Sequence, residues 1–205
     1  MAVQASVALT TARTLLNDDG GSLWTDVVLL PKLVQAFREL EARLRISAAS
    51  IMRVSTSATV SAGGLVYPTI ADINEPIRLW EKAVGDPDSN YGQMTEYDPL
   101  PITPQTALLN YWQWDGTNLN LLGATADRVV RVLYWRNLTE PTVNTSSLIF
   151  IDAELYLAPR TAALAAGSVG EADKFTAMSS VADGNLTLVI QANRGRQAPP
   201  ATARP

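Results

Sequence analysis

The feature that most constrains this chain is a change of hydrophobic period, made twice. Up to about residue 46 the apolar side chains recur at helical spacing; from about Ile51 they alternate, and after Thr145-Ser146-Ser147 the helical spacing returns. A period of about 3.6 and a period of 2 distribute side chains over different faces, so one kind of element cannot serve both stretches. Strands gathered between two helical segments also cannot form a wound βαβ fold, in which helices and strands alternate. The expected class is α+β: an N-terminal helical hairpin, a central antiparallel β-sheet or sandwich, C-terminal helices and an extended tail. The expected domain runs over 1–193, with helices at about 3–46, a β region at about 51–136 and helices at about 147–193. Residues 194–205 form the tail, and no internal repeat is present.

Val3 to Leu16 is predicted as a helix, with Val3, Val7, Leu9, Ala12, Leu15 and Leu16 at helical spacing. Asp18-Asp19-Gly20-Gly21 is expected to stop it. Thr25 is a suitable N-cap for a second helix, where Asp26 meets the positive end of the helix dipole. That helix is expected to reach about Ile46 on a stripe of Leu30, Leu33, Phe37, Leu40 and Leu44, with Lys32, Gln35, Glu39 and Arg43 opposite. Pro31 predicts a kink or a later start. In the C-terminal part, Ser146 or Ser147 is expected to cap a helix through about Ala166 that contains Pro159. Gly167 to Gly170 breaks it. A last helix from Glu171 to about Asn193 carries Phe175, Met178, Ala182, Leu186 and Val189, weakened by Gly184.

In the middle, Met52, Val54, Thr56, Ala58 and Val60 alternate with Arg53, Ser55, Ser57 and Thr59, the pattern of a half-buried strand. Ile77, Leu79 and Glu81 alternate with Arg78, Trp80 and Lys82 in a second. Gly85 to Pro104 is loop-like, with room for a short strand near Tyr91 to Tyr97. NYWQW-DG-TNLNLL then predicts a hairpin with a two-residue turn at Asp115-Gly116, both at positive φ. That register sets Trp114 opposite Thr117 and Trp112 opposite Leu119. Trp112, Trp114, Leu119 and Leu121 then share one face, and Tyr111, Gln113, Asn118 and Asn120 the other. Arg128 to Trp135 is a third strand.

Composition removes several chemistries. The 205 residues include no Cys and no His, so thiol nucleophiles, Cys-type zinc sites and Ser-His arrangements are excluded. Acid–base work would fall to carboxylates, Lys or Tyr. A formal net charge of -4 gives no long-range attraction for nucleic-acid phosphate. No basic, apolar leader is visible, no apolar run approaches the roughly 18 residues of a membrane span, and the expectation is a soluble protein made in a cytoplasm. The N-x-S/T matches at Asn137, Asn144 and Asn185 read as chance.

Three constellations are candidate sites. LLNDDGGSLWTD (Leu15 to Asp26) is rich in acids and glycines, yet neither register from Asn17 or Asp18 supplies calcium-loop ligands at alternate positions with Glu at the twelfth. A helix stop and restart explains the same residues, so no metal is expected. Glu75, Glu81 and Glu96 lie in the β region and could in principle form a carboxylate pair of a hydrolase; solvation or pairing with Arg78 or Lys82 is the simpler reading. Trp80, Trp112, Trp114 and Trp135 could stack a sugar, but Trp112 and Trp114 share a face with leucines, a core pattern. No P-loop and no G-x-G-x-x-G occurs, and the Gly-Gly pairs at 20–21 and 63–64 read as turns. No cofactor and no enzymatic activity are expected.

The stretch ARTLLNDDGGSLWTDVVLLPKLVQAFRELEARL resembles the start of the tailed-phage head-to-tail adaptor proteins, also called head-completion or neck proteins. The matching residues are Leu15, Leu16, Asn17, Asp18, Trp24, Thr25, Asp26, Leu29, Leu30, Leu33, Ala36 and Glu39. The later order is similar too: a strand ending in Tyr134, Trp135 and Arg136, then helices with Asp152, Leu155 and Tyr156. Pro31 and Pro159 depart from the usual unbroken helices. The resemblance implies a structural virion protein with no enzymatic role, made in the bacterial host cytoplasm. It implies a homo-oligomeric ring, a dodecamer in that family, seated under the portal protein in the neck. Tail or neck proteins would dock on it, and DNA would pass through its channel without sequence-specific binding and without a membrane. It also implies a C-terminal tail that reaches into the portal, which here places Arg194, Arg196, Pro199, Pro200 and Arg204 at that contact. RGRQAPPATARP has no apolar anchor and is expected to be ordered only where a partner holds it. The alternatives kept are a tail-completion or other neck-ring protein and a carbohydrate-binding β module.

Overall fold

A computed structural model describes residues 3–194. The order is β1 (Val3–Gln4), α1 (Ala5–Leu15), α2 (Asp26–Ile46), β2 (Arg53–Val60), β3 (Ile73–Ala83), β4 (Gly92–Gln93), β5 (Thr95–Glu96), β6 (Tyr111–Trp114), β7 (Leu119–Leu121), β8 (Arg128–Arg136), β9 (Ser147–Leu148), α3 (Glu154–Ser168) and α4 (Ala172–Asn193). The class is α+β, as the two changes of period require. Two compact units result: a helical one from Met1–Ile51 with Leu138–Pro205, and a sheet one from Met52–Asn137.

In the helical unit α3 is the centre. Nine of its fifteen residues are buried, five of them alanines (Ala158, Ala162, Ala163, Ala165 and Ala166). Such small side chains let α1, α2 and α4 all pack directly on it. α1 answers with Ala5, Ala8, Leu9 and Ala12 rather than with the larger Val7, which is exposed. α2 buries Leu29, Leu33, Ala36, Phe37, Leu40 and Leu44; Leu30 of the expected stripe is only half-buried. The stripe expected on α4 is likewise thinner, with Ala182, Val189 and Asn193 buried and Phe175 exposed.

Both prolines are accommodated near helix starts. α2 begins at Asp26 despite Pro31, so the later start does not occur. Pro31 cannot bond the Val27 carbonyl, but Val27 is exposed. Pro159 frees the Leu155 carbonyl in the same way, and Asn185 of α4 supplies the missing donor at 2.9 Å. Ser146 and Ser147 do not cap α3. Ser147 pairs with Gln4 in the β1–β9 ladder. The Ser146 hydroxyl accepts the Thr142 and Val143 N–H groups, and the Ser146 and Asn144 carbonyls accept those of Ala5 and Ser6. The two carbonyls thus satisfy N–H groups at the start of α1.

Three helices end in the same way, with a left-handed residue just past the cap and paired backbone bonds running back into the last turn. The residue is Asn17 (φ 58) after α1, Ala48 (φ 53) after α2 and Gly170 (φ 83) after α3. At α1, Asp18 N–H reaches the Arg13 carbonyl and Asn17 N–H that of Thr14, so Asn17 stops the helix before the expected Asp-Asp-Gly-Gly. Alanine suits this conformation least. Ala48→Gly is expected to stabilise the helical unit by about 0.5–1 kcal/mol, read as a raised urea midpoint with an unchanged slope.

In the sheet unit a four-stranded sheet has the order β2-β8-β3-β4, and a three-stranded sheet the order β5-β6-β7. β2 and β8 pair without interruption from Arg53 opposite Trp135 to Val60 opposite Arg128. β3 begins at Ile73, earlier than expected, with register shifts on either side of Pro76; there it has only β8 as a neighbour, so the missing N–H is tolerated. Inward residues of both sheets, Leu79, Val130 and Val132 with Trp112, Leu119 and Leu121, join one buried core.

The hairpin forms, but not with the expected turn. Trp114 lies opposite Leu119 and Trp112 opposite Leu121, leaving a four-residue loop. Gly116 has φ 90, while Asp115 is not at positive φ. The Asp115 carboxylate accepts the Thr117 and Asn118 N–H groups at 2.8 and 2.5 Å, which closes the loop by a side chain. The slip is two residues, so the expected faces survive. The Asn118 amide first, then that of Thr117, holds the Asp115 carboxyl down at about 2. A depressed carboxyl stabilises above its unfolded value near ~4 and loses that contribution as pH falls through about 2. The hairpin is expected to loosen over that window in acid, and Asp115→Ala to loosen it already at pH 7, read from amide exchange at Thr117 and Asn118.

Candidate functional site

The acidic opening loop is a joint. Asp18 turns back to accept the N–H groups of Trp24 (2.6 Å), Leu23 (3.0 Å) and Ser22 (3.1 Å), and the Ser22 hydroxyl (3.0 Å). The Trp24 amide is the main cause of its lowered pKa. Arg13 Nε donates to the Trp24 carbonyl at 2.8 Å, and its guanidinium pairs with Asp26. Asn144 holds the other Asp26 oxygen at 2.9 Å, and Asn144 and then Arg13 depress the Asp26 carboxyl. Thr25 occupies the cap position without a side-chain bond. The residues that carried the resemblance thus lock α1 to α2. Among the described residues no group of three acids is arranged to hold a metal ion.

The structure does not bring the three β-region glutamates together. Glu75 and Glu96 are exposed, while Glu81 is 5% exposed. Glu81 accepts the Leu109 N–H at 3.0 Å, the Asn110 N–H at 2.8 Å and Arg128 Nε at 2.8 Å. Its expected neighbours Arg78 and Lys82 do not pair with it: Lys82 goes to Asp88, and Arg78 points to the opposite face. A carboxylate with three of its acceptor sites engaged by two backbone amides and a guanidinium ties strands together. Tyr67 and Tyr134 are pushed up to about 12, in both cases by burial first; they stay protonated and are poor bases.

The four tryptophans divide between faces. Trp112 is buried in the core and Trp114 packs partly against it. Trp80 and Trp135 are half-buried on the outer face of the four-stranded sheet. There Arg53 lies over Trp135 at 5.7 Å, and Arg131 over Tyr91 at 4.0 Å. No flat four-tryptophan platform exists.

Of the tail residues, Arg194 is exposed at the cap of α4. Arg196, Pro199, Pro200 and Arg204 lie outside the described residues. The root of the tail is fixed by a residue that sequence patterning passed over. Asn193 is 3% exposed; its side chain donates to the Ile151 and Val189 carbonyls at 3.0 and 2.8 Å and accepts the Ile151 N–H at 3.0 Å. Its one sequence signal was an amide four residues beyond Val189 on an otherwise apolar stripe. The helical unit also carries an apolar groove of about 470 Å³ lined by Leu164, Gly167, Ala172 and Phe175, with Lys32 at its side.

A family model described as SU10 adaptor protein matches residues 4–202. No curated protein matches the chain. The match spans nearly the whole sequence, both units included, so the chain belongs to the SU10 adaptor protein family. That makes it a phage structural adaptor, a virion component that contacts other head and tail proteins.

Proposed function

We propose that this chain, as a member of the SU10 adaptor protein family, assembles into a ring in the virion neck that joins the portal to the tail and continues the DNA channel. The family match over residues 4–202 carries the reading. The N-terminal joint and the clamped root of the tail support it. Asp18, Arg13 and Asp26 hold α1 and α2 as one rigid hairpin. Asn193 fixes the point from which residue 194 onward leaves, so a portal-binding tail would depart in a set direction. The tail's Arg194, Arg196 and Arg204 suit an acidic portal surface, and its prolines lower the entropy lost on docking. The role is mechanical, with no chemical step, and synthesis takes place in the host cytoplasm.

Native mass measurement of the purified chain, alone and with portal protein, tests the reading. Ring-sized assemblies, a dodecamer foremost, are the expected result, and absence of association in both conditions overturns it. Removing residues 194–205 is expected to weaken portal docking while leaving the circular dichroism spectrum unchanged. Cross-links to tail proteins in place of portal would move the ring one layer along the neck.

A further inference from the structure

An aspartate followed by glycine is prone to isomerise, and the chain holds that pair at Asp19-Gly20, Asp115-Gly116 and Asp183-Gly184. The reaction is an attack of the glycine backbone nitrogen on the aspartate Cγ. It needs a carboxyl that can swing back onto the next amide, an amide free of other bonds, and a backbone able to change its dihedrals. The fold grants these conditions unequally. Asp183 and Gly184 lie inside α4, where the backbone dihedrals are fixed and the amide belongs to the helix ladder. The Asp115 carboxylate is turned forward instead. It accepts the Thr117 and Asn118 N–H groups at 2.8 and 2.5 Å, and the side-chain amides of Asn118 and Asn120 at 3.3 and 3.1 Å. Those bonds also hold it charged, and the anion is a poorer electrophile than the acid. Asp19 differs on every count. It is exposed, and among the described residues its side chain has no hydrogen bond or ion pair. The Gly20 N–H donates to no described residue either.

We propose that Asp19 is a site of spontaneous isoaspartate formation in the folded chain, and that the fold protects the other two Asp-Gly pairs. The Gly20 nitrogen bonds to the Asp19 Cγ, the carboxyl OH leaves with the amide proton as water, and a five-membered succinimide closes. Water then opens the ring. Attack at the original backbone carbonyl leaves the main chain running through the Asp19 Cβ, with the α-carboxyl free. Water lost in the first step is regained in the second, and nothing is oxidised or reduced. The new link adds a methylene to the backbone inside the turn that Gly21 N–H closes on the Asp18 carbonyl at 2.9 Å. Asp18 is the residue whose carboxylate holds the Ser22, Leu23 and Trp24 amides. Isomerisation beside it therefore loosens the joint between α1 and α2. A virion component is not replaced after assembly, so the change accumulates with the age of the particle.

The test is to age the full-length chain at neutral pH, folded and in concentrated urea, and to map isoaspartate by peptide chromatography and enzymatic carboxyl methylation. The folded chain is expected to form it at Asp19 and at neither Asp115 nor Asp183, and the unfolded chain at all three. Equal rates at the three sites in the folded chain overturn the proposal. So does a folded chain without product at Asp19 when the unfolded chain forms it there. Gly20→Ala separates the chemistry from the fold. Gly20 is not at positive φ, and a Cβ added there meets no atom within 4 Å, so the melting temperature should be unchanged. The added methyl obstructs the attacking nitrogen, and isomerisation at Asp19 is expected to slow about tenfold; an unchanged rate overturns the proposal. Hydrogen exchange reads the consequence. The Leu23 and Trp24 amides are expected to exchange faster in the aged chain than in equally aged Gly20→Ala, and equal exchange with isoaspartate present overturns the loosening of the joint.

Discussion

Replacing Glu81 with alanine is expected to destabilise the sheet unit by about 3–5 kcal/mol. The pair it forms with Arg128 is among the least exposed ion pairs of the chain, at 6% and 11% side-chain exposure. Removing the carboxylate leaves a buried guanidinium without its partner and strips the Leu109 and Asn110 N–H groups of their acceptor. Asn110 sits at φ 54, a conformation the two glutamate bonds help to hold. The segment it begins leads straight into β6, so the pairing of Thr95 N–H with the Asn110 carbonyl is expected to loosen too. Glu81→Gln keeps the shape and one acceptor and should cost less. Chemical unfolding followed by tryptophan fluorescence reads the loss, since Trp112 lies in this core. A loss below about 1 kcal/mol would show a solvated carboxylate instead. The double variant with Arg128→Met should recover part of the loss, because an uncompensated charge costs more than an absent pair.

The contrast between Glu81 and the elements around it shows what the sequence could and could not carry. Strand β2 was legible because its alternation is strict, from exposed Arg53 to buried Val60. The extent of helix α2, from the cap position at Thr25 to about Ile46, was legible from its apolar stripe, although the later start that Pro31 suggested did not occur. The faces of the β6–β7 hairpin were legible and its turn was not. Face depends on parity, whereas the turn depended on whether the Asp115 carboxylate would capture two amides. Ser146 and Ser147 misled for a related reason. A serine before a helical run caps it only if its hydroxyl is free to do so, and here the Ser146 hydroxyl takes the Thr142 and Val143 N–H groups while its carbonyl meets Ala5 of α1. The joint at Asp18 to Asp26 was legible as a helix stop and restart. Its wiring to Arg13 and Asn144 was not, because those partners meet only in three dimensions. The tail was legible as composition. Its root was not, since a buried amide such as Asn193 looks like any polar residue near a helix end.

Phe37→Ala is expected to cost the helical unit about 3–5 kcal/mol. Phe37 is 1% exposed on α2, and its ring lies 5.1 Å from that of Phe150, which is wholly buried. Alanine leaves a cavity beside Phe150, on the face of α2 that also buries Leu33 and Leu40, and a close-packed interior relaxes into such a gap only in part. Phe37→Leu, which fills most of the volume, should cost under about 1.5 kcal/mol. The consequence extends to the proposed function. Phe150 is followed at once by Ile151, whose N–H and carbonyl both bond the Asn193 side chain. A loosened Phe150 therefore weakens the anchor at the root of the tail. Hydrogen exchange should show the Ile151 amide losing protection in Phe37→Ala and in Asn193→Ala, but little in Phe37→Leu. Portal docking should fall in the same order among variants compared at equal folded fraction. Docking that ignores the order, with Ile151 protection lost as expected, would mean that the tail acts as a free tether and that its root direction is immaterial.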